Sequence, residues 1–341
     1  MNSNVKPGRS GGRHTLQDVA TQAGVSPMTA SRALRGVGRV DPALVERVRE
    51  AAAALQYVPD PAARALASAR SSSVVVLVPS LANTVFIDLL EAVHEVLAPE
   101  GYQVLIGNTH YSRDEEEQLL RNYLAHRPSG MLVTGFERSE ASRRMIEASG
   151  VPCVYLMELT NAPGVHCVGL SQLAAGQAVT RHLLTRGRRR IGFVAAQLDP
   201  RTMQRAEGYR RALQEVGCYD PGLELLSPAR SSVGLGAALF KDYLERHPDV
   251  DAIFFCNDDL AQGALLEALR RGIRIPEQVL IAGFNDLDGS DCSFPRLTTI
   301  RTPRAEIGRR AATMLLQLMR GGRVGQSAVD VGFELVVRES A

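Results

Sequence analysis

The 341-residue chain has no tryptophan, which excludes indole stacking on a ligand ring. Its five cysteines, Cys153, Cys167, Cys218, Cys256 and Cys292, are scattered singly. The odd number and the lack of any C-x-x-C exclude a disulfide framework or a zinc site. The seven histidines, at 14, 94, 110, 126, 166, 182 and 247, fall in no metal-ligand spacing, so neither a metal nor a cofactor is expected. No apolar run reaches membrane-spanning length. The N-terminal stretch MNSNVKPGRSGGRH has no apolar core of a secretory signal. A cytoplasmic protein without membrane contact is the expectation. The chain also lacks G-x-S-x-G, H-E-x-x-H and G-x-x-x-x-G-K-[ST]. GLGAAL (234–239) is only a partial glycine pattern at a helix start, so no catalytic residue is assigned.

What is present is unevenly distributed. Hydrophobic residues make up 45% of the chain and charged residues 22%, as in a soluble protein with large buried cores. The net charge of +2 conceals an asymmetry: residues 1–70 hold ten Lys/Arg against five Asp/Glu, a local +5 that leaves −3 for the rest. A basic head on a mildly acidic body points to a polyanionic partner for the head, although a solvated basic surface has the same charge.

The head contains three helical patterns. LQDVATQA (16–23) spaces its apolar residues as a helix does, and Gly24 breaks it. SPMTASRAL (26–34) and DPALVERVREAAAAL (41–55) each open with a cap-proline pair, Ser26-Pro27 and Asp41-Pro42. Two short helices joined by a Gly-containing turn and covered by a third have the form of a helix-turn-helix. The outer face of the second helix presents short or hydrogen-bonding side chains that suit base edges and phosphates, although a small bundle that docks protein is also compatible. Beyond it, DPAARALASA (60–69) is well capped but too short to be stable alone.

The stretch TLQDVATQAGVSPMTASRALRG…VDPALVERVREAAAALQYVPDPAARALA resembles the DNA-binding headpiece of the LacI/GalR family of bacterial repressors. The resemblance implies that Ser26–Leu34 is a recognition helix. It places Thr15, Ser26, Pro27, Met28, Thr29, Ser31, Arg32 and Arg35 on double-stranded operator DNA. Pro27 and Met28 lack strong hydrogen-bonding ends, so apolar contact, as with a thymine methyl, is expected from them. The resemblance also makes 60–69 a hinge helix that folds when two copies meet on DNA. Ala63 and Leu66 then face the minor groove, with Leu66 as the wedge. The expected division is a disordered arm (1–14), a helix-turn-helix domain (15–59), a hinge helix and linker (60–73) and a body (74–341).

In the body, short apolar runs alternate with helical patterns. The runs are VVVLVP (74–79), YQVLIGN (102–108), GMLVTG (130–135), VPCVYLM (151–157), IGFVAA (191–196), DAIFFCN (251–257) and VLIAGF (279–284). Such alternation predicts parallel sheets with crossover helices, and ligands then bind beyond the carboxyl ends of the strands. Polar residues stand at those ends: Ser80 and Asn83, Glu158, Arg201 and Arg205, Asn257, and Asn285 with Asp286. Helix capping alone also accounts for several of the Asn and Asp.

AIFFCNDDLAQGALLEALRRGIRIPEQVLIAGFNDLD and FPRLTTIRTPRAEIGRRAATMLL extend the resemblance to the family's two-lobed, periplasmic-binding-protein-like core. It implies lobe 1 at about 74–165 and 291–325, lobe 2 at about 166–290 and 326–341, and an effector site including Asn83, Phe86, Arg205, Asn257 and Asn285. Asn285 stands where many members carry Asp, which leaves a hydroxyl-accepting carboxylate missing there or shifted to Asp286. LVPSLANTVFIDLLEAV and LDPRTMQRAEGYRRAL look most like the gluconate-utilisation repressors of the family. That resemblance, with Arg201 or Arg205 as a fork for a carboxylate and Ser80 and Glu158 nearby, predicts a sugar-acid effector. Gluconate, its 6-phosphate and its keto relatives fit this description. A neutral sugar or a purine is the alternative effector, and an enzyme with an appended DNA-binding head is a remote alternative function. A homodimer is expected, since no leucine-heptad tail follows Phe333–Ala341.

Overall fold

The computed structural model describes residues 14–36, 38–58 and 71–341. The chain forms two compact units, Met1–Ser71 and Ser72–Ala341. The arm at 1–13, the hinge helix and most of its linker, and with them Ala63 and Leu66, lie outside the described residues.

In the first unit, α1 is Leu16–Ala23, α2 is Pro27–Arg35 and α3 is Pro42–Ala54. The sequence explains each boundary. Thr15 and Asp18 form a reciprocal capping box at the start of α1, and Gly24 ends the helix in the left-handed conformation at φ 62°. Ser26 caps α2 by accepting from the Thr29 N–H, and Pro27 takes the first helical position. Asp41 caps α3 in the same way, accepting from the Ala43 N–H at 2.8 Å. The buried core is made of small residues, Val19, Ala20, Ala23, Ala30, Ala33, Val48 and Ala51.

The second unit holds two parallel sheets. The first joins β1 (Ser73–Val78), β2 (Gln103–Asn108), β3 (Gly130–Thr134), β4 (Cys153–Met157), β5 (His166–Gly169) and β11 (Ala328–Asp330) in the order β11-β5-β4-β3-β1-β2. The second joins β6 (Ile191–Ala196), β7 (Glu224–Ser227), β8 (Ala252–Phe255) and β9 (Leu280–Ala282) in the order β7-β6-β8-β9. Beside it β10 (Thr299–Arg301) pairs antiparallel with β12 (Glu334–Val336).

The crossover helices are α4 (Ile87–Leu97), α5 (Arg113–Ala125), α6 (Glu140–Ser149), α7 (Gln172–Thr185), α8 (Pro200–Gln214), α9 (Val233–Arg246), α10 (Asp258–Arg271) and α11 (Arg304–Met319). β1 shows why its sequence is continuously apolar. Val74, Val76 and Val78 pack in one cluster with Leu89 and Val93 of α4, while Val75 and Leu77 pack in another with Leu120 of α5 and Ile146 of α6. Both faces of the sheet are covered, so alternation with polar residues is lost.

Each lobe is assembled from separate stretches, and the chain passes between the sheets after β5, after β10 and after β11 rather than near 165, 290 and 325. The expected lobe boundaries are corrected accordingly. β5 and β11 belong to the first sheet, and β10 lies with the second. These strands are only three or four residues long, too short for an apolar run to announce them.

The second glycine of GLGAAL, Gly236, also finds its role. A Cβ on Gly236 would stand 2.3 Å from the Leu260 carbonyl oxygen, and one on Gly263 would stand 2.0 Å from that of Val233. Gly236 and Gly263 permit backbone contact between α9 and α10.

Candidate functional site

The outer face of α2 is the first candidate. Met28 is 65% exposed, a large apolar side chain on an otherwise polar surface. Pro27, Arg32 and Arg35 are exposed, while Thr29 and Ser31 are half-buried. Ser26 Oγ receives the Thr29 N–H at 3.1 Å and lies 2.8 Å from the Thr29 hydroxyl. Thr15 spends its hydroxyl on the Asp18 carboxylate at 2.9 Å. Arg35 folds back along the helix, its Nε donating to the Ser31 carbonyl at 3.1 Å, which leaves Arg32 as the freer cation. The helix start carries no acidic residue, and since Pro27 has no N–H and Ser26 takes the Thr29 N–H, the Met28 N–H is the one left open there to a phosphate.

The second candidate is a cavity of about 480 Å³ between the two sheets of the body. It lies at the carboxyl ends of the strands. Seven of the expected residues line it: Ser80, Asn83, Phe86, Arg201, Arg205, Asn257 and Asn285. Local structure positions each. Ser80 Oγ accepts from the N–H groups of Ala82 and Asn83, both at 3.2 Å, and so shapes the loop after β1. Asn257 caps α10 through its Oδ1, leaving its Nδ2 to Ser231 Oγ at 2.8 Å. Asn285 sits at φ 115°, where the chain turns beside β10, and its Oδ1 accepts from the Thr302 hydroxyl.

Two arginines on α8 differ in their electrostatics. Arg201 is gripped by Asp199, with Nη2 and Nε at 2.9 and 3.4 Å from the two carboxylate oxygens. Burial works against its charge, but Asp199, Tyr111 and Glu158 outweigh burial and hold its pKa above the ordinary arginine value. Its Nη1 is buried with no hydrogen-bond partner. Arg205 is different. Its Nε donates to Gln172 Oε1 at 2.8 Å, its Nη1 to the Cys256 carbonyl at 2.6 Å, and its guanidinium lies 3.7 Å from the Phe284 ring centre. Burial pushes its pKa down to about 10. At neutral pH it remains charged, a buried cation held by neutral groups.

Two expected residues stand elsewhere. Glu158 lines an adjoining cavity of about 360 Å³, which shares Tyr111, Gln197, Asp199 and Arg201 with the first. It accepts from the Phe136 N–H at 2.9 Å, and burial raises its pKa. Asp286 lines neither cavity. Its carboxylate is engaged by Arg301 and Arg338, each at 2.8 Å, so its expected part in the effector site is corrected. The two ion pairs satisfy the carboxylate within the protein.

Sequence reasoning missed Tyr111, Asp199, Arg230 and Ser231, which also line the larger cavity, as does Asp259 after Asn257. The rule that polar residues at strand ends form the site applies equally to β2 and β7. Followed there, it leads to Tyr111 and Arg230. β7 escaped notice because ELLS carries too little apolar pattern to read as a strand. Among the described residues no group of three or more His, Cys, Asp or Glu is placed to hold a metal ion. No described helix is long and apolar enough to cross a membrane.

Comparison with known proteins agrees with this anatomy. Residues 15–60 match the family of bacterial regulatory proteins, lacI family, and residues 180–341 match a periplasmic binding protein-like domain. The chain belongs to the LacI family of DNA-binding transcriptional regulators, with a helix-turn-helix head and a two-lobed parallel α/β body. Within that family it is 64% identical over 340 residues to the HTH-type transcriptional regulator GntR of Pseudomonas aeruginosa, covering 100% of this chain and 99% of that one. A crystal structure of a LacI-family regulator from Silicibacter pomeroyi is similar at a TM-score of 0.89 and 36% identity, over 96% of this chain and 99% of that one. The lac repressor dimer bound to operator and the anti-inducer ONPF is similar at a TM-score of 0.84 and 25% identity, over 96% and 99% of the two chains.

Proposed function

We propose that the protein is a homodimeric repressor of sugar-acid metabolism genes, released from operator DNA when gluconate or a related sugar acid enters the cleft of the body. The observation that carries the effector reading is Arg205: a buried guanidinium lining a cavity, held by neutral partners, suits an anionic ligand. Ser80, Asn83, Asn257 and Asn285 offer donors and acceptors for a chain of hydroxyls, and Phe86 gives an apolar wall. The name of the GntR relative supports the same reading. Two recognition helices related by a twofold axis meet two half-sites of a pseudo-palindrome, with paired hinge helices between them. Effector binding alters the relation of the lobes and separates the hinges. Linkage then makes DNA weaken the effector by the factor with which the effector weakens DNA.

Thermal unfolding against gluconate, 6-phosphogluconate, 2-ketogluconate, neutral sugars and purines tests the effector. A ligand at a hundred times its dissociation constant adds about 2.7 kcal/mol to native stability, a readable rise in Tm. A rise with sugar acids alone is expected. A rise confined to neutral sugars or purines rejects the sugar acid and leaves the regulator intact.

For the head, Arg32→Ala is expected to weaken operator binding by about 1–3 kcal/mol. If Arg32 serves a phosphate, the loss is uniform across operator sequences and the slope of log affinity against log salt falls by about 1. If it serves a base, the loss concentrates at one position of the site. Unchanged affinity and slope in a fluorescence-anisotropy titration remove Arg32 from the interface.

A further inference from the structure

We propose that Arg230 is the residue by which the cleft tells an anionic effector from its uncharged relatives, exchanging a hydroxyl of the opposite lobe for the effector's carboxylate. The proposal rests on the reading of the cleft as a sugar-acid site and assigns that site's discriminating cation. Arg230 follows β7 in lobe 2. Its Nη2 donates to Ser80 Oγ of lobe 1 at 3.2 Å, so the side chain spans the cavity between the lobes. That oxygen already accepts the N–H groups of Ala82 and Asn83. It is a neutral acceptor shared by three donors, a poor partner for a full positive charge.

The other two guanidiniums of the cavity are anchored by partners of their own, although Arg201 Nη1 keeps a free donor. Arg201 is matched by the Asp199 carboxylate, and Arg205 is fixed by Gln172, the Cys256 carbonyl and the Phe284 ring. Arg230 is exposed, and among the described residues no carboxylate stands in ion-pair range of it. Asp259, the other acid that lines the cavity without a partner cation, has its pKa raised by burial.

A carboxylate forms bonds with a guanidinium about twice as strong as those of a neutral oxygen. A sugar acid therefore draws Arg230 from Ser80. A polyol or aldose offers only more hydroxyls, and Arg230 gains nothing by leaving. Arg205 is the fixed cation of the site, while Arg230 is the movable one that leaves its hydroxyl only for a charged ligand. The reach also suits Arg better than Lys, because the planar fork keeps two parallel donors for the two carboxylate oxygens.

The test is isothermal titration of the full-length protein and of Arg230→Gln and Arg230→Lys with potassium gluconate and with sorbitol, at low and high salt. Arg230→Gln is expected to weaken gluconate by about tenfold or more, the worth of one charge-assisted bond. It is expected to make the salt dependence of gluconate binding shallower. Sorbitol affinity and the Tm of the ligand-free protein stay as in the parent. Arg230→Lys recovers part of the loss. Equal gluconate affinity in Arg230→Gln and the parent overturns the assignment while leaving the sugar-acid reading standing. So does an equal loss for sorbitol and gluconate. A parent protein that binds no sugar acid overturns both.

Discussion

Arg205→Ala is expected to abolish the effector response while leaving operator binding intact. The guanidinium is buried, and its charge is answered by one amide oxygen, one backbone carbonyl and one aromatic face. Burial lowers its pKa to about 10, which at pH 7 still leaves it charged. A protein gains nothing in stability from such a cation when an uncharged side chain fills the space as well. Its value lies in what it offers the cavity. Charge-assisted hydrogen bonds contribute about 1.5–3 kcal/mol each, so losing the fork weakens an anionic effector by about 100-fold or more. The space vacated by the side chain opens onto the cavity, so water can reach Gln172 Oε1 and the Cys256 carbonyl, which keeps the stability loss small. Arg205→Lys retains the charge but loses the planar fork and the ring contact, and is expected to recover only part of the affinity. Operator titrations with and without gluconate check this. A variant that still releases DNA at the parent's gluconate concentration removes Arg205 from the site.

The head was legible almost residue by residue because its boundaries are chemical. Ser26-Pro27 and Asp41-Pro42 are cap-proline pairs, and the helices begin where those pairs put them. The central strands were legible for a different reason. β1, β6 and β8 are covered on both faces, so each is an apolar run bounded by polar residues. What stayed hidden depends on partners remote in sequence. Asp286 reads as a ligand-facing carboxylate only until Arg301 and Arg338 appear beside it. Asp199 reads as a helix cap, which it is, since the Thr202 N–H donates to it at 3.0 Å. Its second task, neutralising Arg201, needs the fold. Arg230 lies after a strand too polar to be recognised, and its contact with Ser80 joins residues 150 positions apart.

The same limit applies to Asp258, which follows Asn257 and reads as an ordinary acidic residue in the first turn of a helix. In the structure it is fully buried and ties the start of α10 to two distant segments. Its Oδ1 accepts from the Thr299 hydroxyl at 2.6 Å, and its Oδ2 from the Leu287 N–H at 2.8 Å and the Ser290 hydroxyl at 3.3 Å. It is the anchor beneath the cavity wall that carries Asn257 and Asn285.

Burial pushes its pKa up to about 6 despite those three donors, with Asp286 adding to the rise. Between the unfolded value near 4 and the folded value, the native state holds the proton more tightly. The contribution of this group to stability is therefore fully present below about pH 4 and is lost as pH rises through about 6, on the order of 3 kcal/mol. Asp258→Asn removes that loss. The amide oxygen accepts from Leu287 and Ser290, and its nitrogen donates to Thr299 Oγ1, whose hydroxyl turns to accept. The asparagine variant is thus expected to gain on the parent as pH is raised from 4.5 to 7.5 in urea unfolding.

Asp258→Leu has no such recourse. It strands one backbone N–H and two hydroxyls away from water, each costing about 1–3 kcal/mol, and is expected to destabilise the body by about 3–5 kcal/mol in all. Parallel curves for Asp258→Asn and the parent across that pH range refute the titration, and a leucine variant as stable as the parent refutes the anchor. If both hold, stability at this point of the cleft wall is set by one buried proton, and the walls that present Asn257 and Asn285 are firmest in acid.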